Sequence, residues 1–289
     1  MTRRERAGAL IIVLWLIGIA ALVRRELFVT EPEQLREAAL LVVPGTAYYE
    51  VMQGEERVGW ASSTIDTSLT GISVRDVVIV DAADTLASRR FAARARVTLT
   101  PGLRLTGFVF DLSAGHSPYR VTGRMSHDSL LTLVTETANA HPDTESVTVH
   151  KNVFWPTTVP LALALAAKPH IGRAYRYTIY DPTTGTPEEV ALTVGAESLF
   201  VVSDSARLDE TRGAWVSAHA DTVRGWRLDP QGSALVSGWI DERGRIIEST
   251  PLGSYTFRRT AYEMAFRNWT LEATRKAVAT RAHHTTTTR

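Results

Sequence analysis

The chain has 289 residues, with 32 Lys and Arg against 31 Asp and Glu, and no cysteine. A net charge of +1 argues against a dedicated nucleic-acid binder, which carries a strong basic excess. Without thiols there is no disulfide, no thiolate metal site, no cysteine nucleophile and no lipid-modified cysteine. Such a chain can enter an oxidising compartment without mispairing.

The first element is Ala7–Val23, AGALIIVLWLIGIAALV, an uncharged apolar run. Arg3, Arg4 and Arg6 precede it, and Arg24 and Arg25 follow. As a helix it spans about 25 Å, at the short end for a hydrocarbon core of about 30 Å. Flanking arginines can snorkel to the headgroups. The expectation is a signal anchor over residues 1–25, with the N-terminus cytoplasmic because the larger positive cluster lies ahead of the run. The rest of the chain then lies in the periplasm of a bacterium with two membranes. A leader cleaved after Ala20 or Ala21, releasing the domain into the periplasm, is the alternative. Residues 26–46 read as a stalk, with a short helix over Thr30–Leu40 that begins at a Thr cap and an early proline.

From Ala47 the period changes to two. AYYEVMQ and VGWASSTID flank a turn containing Gly54, and GISVRDVVIVDA follows, rich in β-branched residues. FAARARVTLT and LRLTGFVFDLS flank Pro101-Gly102; YRVTGRMS and SLLTLVTET flank His127-Asp128; SVTVHKNVFW reads as one further strand. The apolar stretch Leu161–Ala167, led in by Thr157 and Thr158 and closed by Lys168-Pro169, predicts a buried helix too short to cross a membrane. Strands then resume as AYRYTIYD, EEVALTVGA, SLFVVSDSARL, GAWVSAHADTV, GWRLD, SALVSGWID, RIIESTP and YTFRRTAYEMA. Residues 268–289 form a tail, with helical character in NWTLEATRKAV and low complexity in RAHHTTTTR. The fold expected over 47–267 is mainly β: an antiparallel meander forming a curved sheet or half-barrel with one packed helix. The α/β alternation that a parallel sheet needs is missing.

The segment SGWIDERGRIIESTPLG, residues 237–253, gathers five charges. It reads as a hairpin whose turn is DERGR, with Gly244 at a positive-φ position and Asp241, Glu242, Arg243 and Arg245 at a solvated tip. A catalytic carboxylate pair would need a dry pocket instead.

An aromatic strand end followed by Asp-Glu-x-Gly-Arg and aliphatics resembles the closing hairpin of an uncharacterised group of bacterial envelope β proteins. Similar segments precede the catalytic domains of membrane-linked transglutaminase-like proteins. YEVMQGEERVGWASSTI and WPTTVPLALALAAKPHIG followed by AYRYTIYDP extend the resemblance over most of residues 47–265. It implies a non-catalytic region, related in architecture to half-barrel lipoprotein carriers whose curved sheet cradles acyl chains. The chain departs from the transglutaminase-like proteins in having no cysteine and in stopping where their catalytic domain would begin.

No motif calls for a cofactor: GxGxxG, GxxxxGKS and GxSxG are absent, and the histidines show neither HxxxH nor HExxH spacing. Ser126-His127-Asp128 are adjacent, so they cannot converge as a triad. Phe108, Phe110, Trp155, Tyr177, Trp226 and Trp239 lie on expected strands or their ends. They read either as ordinary core or as the lining of an apolar face that holds a lipid-like ligand. The functional expectation is a non-enzymatic, membrane-tethered binding domain for a hydrophobic ligand. The alternatives are an envelope scaffold partnering a glycan-processing or transglutaminase-like enzyme, and a hydrolase built from remote residues.

Overall fold

The computed structural model describes residues 40–84, 87–114, 117–127, 129–138, 140–149, 152–181, 184–231, 237–252 and 255–274. The expected membrane segment, residues 26–39 of the stalk, and the tail beyond residue 274 lie outside them. No helix among the described residues is long and apolar enough to cross a membrane.

The strands are β1 (Gly45–Gln53), β2 (Glu56–Ser68), β3 (Gly71–Asp84), β4 (Ala87–Leu99), β5 (Leu105–Ala114), β6 (Ser117–Ser126), β7 (Leu130–Thr137) and β8 (Asp143–Thr148). They continue with β9 (Val153–Phe154), β10 (Ala174–Asp181), β11 (Thr186–Asp209), β12 (Ala214–Gln231), β13 (Gly238–Asp241), β14 (Ile246–Leu252) and β15 (Tyr255–Thr260). All fifteen belong to one curved, open sheet, ordered β8-β7-β6-β5-β4-β3-β2-β1-β15-β14-β13-β12-β11-β10-β9. The chain starts at the centre, meanders to one edge, and crosses to the other edge. It then meanders back until β15 pairs with β1, Tyr49 opposite Arg259. Only the two-residue β9 runs parallel to its neighbour.

Alternation builds the faces. On β4, Ala95, Val97 and Leu99 are buried, whereas Arg96 and Thr98 between them are exposed. Arg75–Asp66 and Arg120–Asp111 pair across strands at the surface, where such contacts contribute little. The buried face is filled from within by α1 (residues 156–167), which passes from a 3-10 turn through an α turn to a π turn. Val159, Leu161, Ala162 and Leu163 of α1 pack into one core with Val97, Phe108, Val121, Leu131, Ile179 and Leu192. Phe108 stacks against Trp155 and Tyr180 with ring centroids 4.8 Å from each. The Phe108 ring occupies the space where Gly123, directly opposite, would carry a Cβ.

Several boundaries differ from the sequence reading. SVTVHKNVFW is not one strand: β8 forms one edge of the sheet and β9 the opposite edge. The two apolar runs EEVALTVGA and SLFVVSDSARL are one strand, β11, of 24 residues, and β12 likewise joins GAWVSAHADTV to GWRLD. Bulges at Val194/Ala196 and around Ser205 keep the long pair in register while bending it. YTFRRTAYEMA ends as strand at Thr260, and α2 (residues 262–274) follows. This second helix packs on the other face of β1 and β2: Phe266 meets Trp60 edge-on at 5.2 Å, and Arg57 joins Glu272 at 2.6 Å.

Candidate functional site: a polar cleft beneath the long hairpin

The turn after β13 is built by Asp241. Its Oδ1 accepts from the backbone N–H groups of Arg243 and Arg245, both at 2.9 Å. Gly244 takes φ 71°, and its missing Cβ leaves room for the backbone of α1 at Pro160 and Leu161. Asp241 Oδ2 accepts from Arg259 Nη1 of β15 at 2.6 Å. Asp241 is only 7% exposed, so the expectation of a wholly solvated tip is corrected: Glu242 and Arg243 face water, but Asp241 is buried. The reason is tertiary. The turn lies against α1 and against the chain leading into the first strand, where Arg245 Nη2 donates to the Val43 carbonyl at 3.2 Å.

Four further groups belong to this neighbourhood. Tyr49 is buried, and desolvation pushes its hydroxyl pKa up, opposed by Arg259 and reinforced by Asp76 and Asp241. Burial pulls Arg245 below the usual arginine range, against the attraction of Asp241. Asp76 of β3 is raised by desolvation, with the Ser63 and Thr157 hydroxyls acting in the opposite direction. Thr157 Oγ1 donates to Asp76 Oδ2 at 2.6 Å and so ties α1 to the sheet. Part of the Asp76 residue touches solvent, but Oδ1 is sealed and lacks a hydrogen bond of regular geometry.

Beside this buried layer opens a cleft of about 780 Å³. Its floor is Asp241, Arg245 and Arg259; its walls are Tyr48 and Tyr262 on one side and the outer parts of β11 and β12 on the other. The rim carries Arg224, Glu242 and Arg243. Arg224 Nε lies 3.4 Å from Glu197 and 3.9 Å from Glu242. The cleft is thus polar, with both signs of charge, and open to solvent.

On the hairpin wall, Asp204, His219 and Asp221 place their ligand-type atoms within 4.8 Å of one another. Asp204 sits in the bulged stretch opposite His219, and His219 Nδ1 lies 2.9 Å from Asp204 Oδ2. The two carboxylates raise the His219 pKa, Asp204 most. Among the described residues this is the one group of three with donor atoms that could hold a divalent cation, and all three are exposed.

The six aromatics singled out by sequence lie elsewhere. Phe108, Phe110 and Trp155 form one cluster with Tyr180 in the core. Tyr177 packs edge-on against Phe154 at 5.3 Å, and Trp226 is buried in the same core. Trp239 meets Phe200 at 4.8 Å and lines a separate apolar cavity of about 80 Å³ with Val159, Leu192 and Leu228. None of the six lines the polar cleft. Sequence reasoning did not pick out Arg224, Arg259, Tyr48 or the Asp204–His219–Asp221 group as site residues. Pairing between β1 and β15 and the bulges of β11 assemble them, and neither leaves a local signature.

No family model matches the chain, and no curated protein does. It is similar to a solved β-barrel-like protein of the domain of unknown function DUF1849 from Brucella abortus. The identity is 16% and the TM-score 0.48, covering 76% of this chain and 95% of that one. A DUF1089 family protein from Pseudomonas aeruginosa aligns at 12% identity and a TM-score of 0.37, covering 68% and 92%.

Proposed function

We propose that this chain is a non-enzymatic binding protein of the bacterial envelope, tethered to the inner membrane by Ala7–Val23, with its ligand site in the cleft beneath the β11–β12 hairpin. The observation that carries the reading is the cleft itself. At about 780 Å³ it falls within the ~300–1,000 Å³ of small-molecule sites, whereas the apolar cavity beside Trp239 holds about 80 Å³. The space under the curved sheet next to α1 is taken by Phe108, Trp155 and Tyr180, in ring contact with one another. An acyl chain there would have to displace them. The fitting ligand is a polar molecule whose acidic groups meet Arg224 and Arg243 at the rim and whose hydrogen-bond donors meet Asp204, Asp221 and Glu263.

The test is extraction of small molecules co-purified with the full chain, compared with an Arg224→Glu/Arg243→Glu variant. The expected result is a polar, acidic molecule retained by the natural chain and lost from the variant. Lipid retained equally by both would favour the interior of the sheet as an apolar site. No retained molecule in either would favour a scaffold that partners another envelope protein.

A further inference from the structure

Most strands have one end at the level where the chain enters β1, and β11 and β12 cross that level. Gly45 pairs with Ile65, so the β2–β3 turn at Leu69 lies at that end. Gly225 pairs with Asp241, whose turn touches Val43, so β13 closes there and the outer half of the β11–β12 hairpin passes beyond it. β10 is antiparallel to β11 and starts at the same end, which places Ile171 on its lead-in. The hairpin then returns against α2, where Trp215 meets Asn268.

Exposed apolar side chains concentrate at this end. Among the described residues the six most exposed large ones are Leu40, Leu41, Leu69, Ile171, Leu199 and Val201, from 61% to 101%. They come from four separate segments of the chain, so no single amphipathic element accounts for them. Exposed Lys168, Arg173 and Arg243 stand at the same end, with Glu242 beside Arg243. The opposite end shows polar turns at Gly54-Glu55 and Thr184-Gly185.

We propose that this end of the sheet docks on the surface of the lipid bilayer, with Leu69, Ile171, and Leu199 and Val201 of β11 inserted at the headgroup level. The inference rests on the reading of Ala7–Val23 as an anchor. The chain leaves that segment at Arg25 and enters the domain at Leu40 on the apolar end. The intervening residues 26–39 reach about 20 Å as helix and about 50 Å fully extended. The domain is therefore held within that distance of the membrane, apolar end first. Apolar tips mixed with basic residues match the interface between acyl chains and anionic headgroups. A protein partner would meet the same tips, and the experiment separates the two.

The chain has no cysteine, so single-cysteine variants take one label each. The full chain is reconstituted in phosphatidylethanolamine–phosphatidylglycerol vesicles with a polarity-sensitive fluorophore at Leu69→Cys, Ile171→Cys or Val201→Cys. Glu55→Cys and Thr184→Cys serve as controls at the other end. The expected result is a blue shift and several-fold stronger quenching by doxyl-labelled lipid at 69, 171 and 201 than at 55 and 184. A Leu69→Asp/Ile171→Asp chain should still float with the vesicles and lose the quenching at 201. Equal quenching at both ends in a chain that floats would overturn the docking and leave the anchor standing. A chain that does not float would overturn both.

Discussion

The side chain of Asn268 on α2 pairs with the backbone of Trp215 on β12 as a neighbouring strand would. Its Oδ1 accepts from Trp215 N–H at 2.7 Å, and its Nδ2 donates to the Trp215 carbonyl at 2.8 Å. Asn268 is buried, so both backbone groups would lose their partner without it. This amide fastens the outer end of the long hairpin to α2 and so holds the cleft wall in place. Asn268→Ala is expected to cost about 1–3 kcal/mol, from the hydrogen bonds lost and the buried groups left unpaired. Hydrogen exchange should quicken over residues 210–220 while the core strand β5 stays protected. Unchanged exchange there would show that the hairpin is held by other contacts.

The Asp241–Arg259 pair at the cleft floor should behave as a buried pair. Arg259→Met takes the guanidinium at 2.6 Å from the buried Asp241 carboxylate, and a loss of up to about 3–5 kcal/mol in urea unfolding is expected. Asp241→Asn/Arg259→Met should recover part of that loss, because Asn can still accept from the Arg243 and Arg245 amides. If the single and double variants lose the same stability, the pair is not coupled.

Asp76 gives the molecule an acid-side pH dependence of unusual sign. Burial raises its pKa above the ordinary carboxylate value near 3.9. An acid raised in the folded state binds its proton more tightly there. Its contribution is therefore fully present below about pH 4 and is lost as pH rises through the folded pKa. Asp76→Asn keeps an acceptor for Thr157 and removes the titration. The difference in unfolding free energy between the natural chain and the variant should shift in the variant's favour as pH climbs out of the acid range. A pH-independent difference would contradict this.

His219 should titrate high and depend on Asp204. Its pKa is raised first by the hydrogen bond that its ring N–H donates to Asp204, then by the charges of Asp204 and Asp221. In the folded chain the pairing is strongest below the ordinary histidine value near 6.5 and fades as pH passes the raised value. NMR titration of the imidazole should place its midpoint above 6.5 in the natural chain and lower in Asp204→Asn. Equal midpoints would show that the carboxylate does not hold the ring.

Much of the strand content was legible because period-two alternation and turn residues are local signals. The Gly54, Pro101-Gly102 and His127 turns lie between the strands expected, and Gly244 has the positive φ inferred for it. Leu161–Ala167 was readable as a buried helix because an apolar run closed by Lys168-Pro169 has few other outcomes. The cleft was not legible. Asp241 looks like any turn aspartate until β15, two strands on, brings Arg259 back to it. Asp204 meets His219 because of bulges that β-propensity does not reveal. The division of SVTVHKNVFW between two edges was also hidden, since β-branched residues read alike on either side of a crossover.

The place of β1 at the middle of the sheet bears on how the chain acquires its shape. Its partner on one side, β2, is adjacent in sequence, but its partner on the other, β15, is made last. During synthesis the first eight strands can zip in order while β1 keeps an unpaired flank. That flank closes only when residues 255–260 emerge, and such remote pairing is the slow part of β folding. Until then the flank is open to wrong partners, which makes Tyr255–Thr260 the segment whose late arrival completes the molecule.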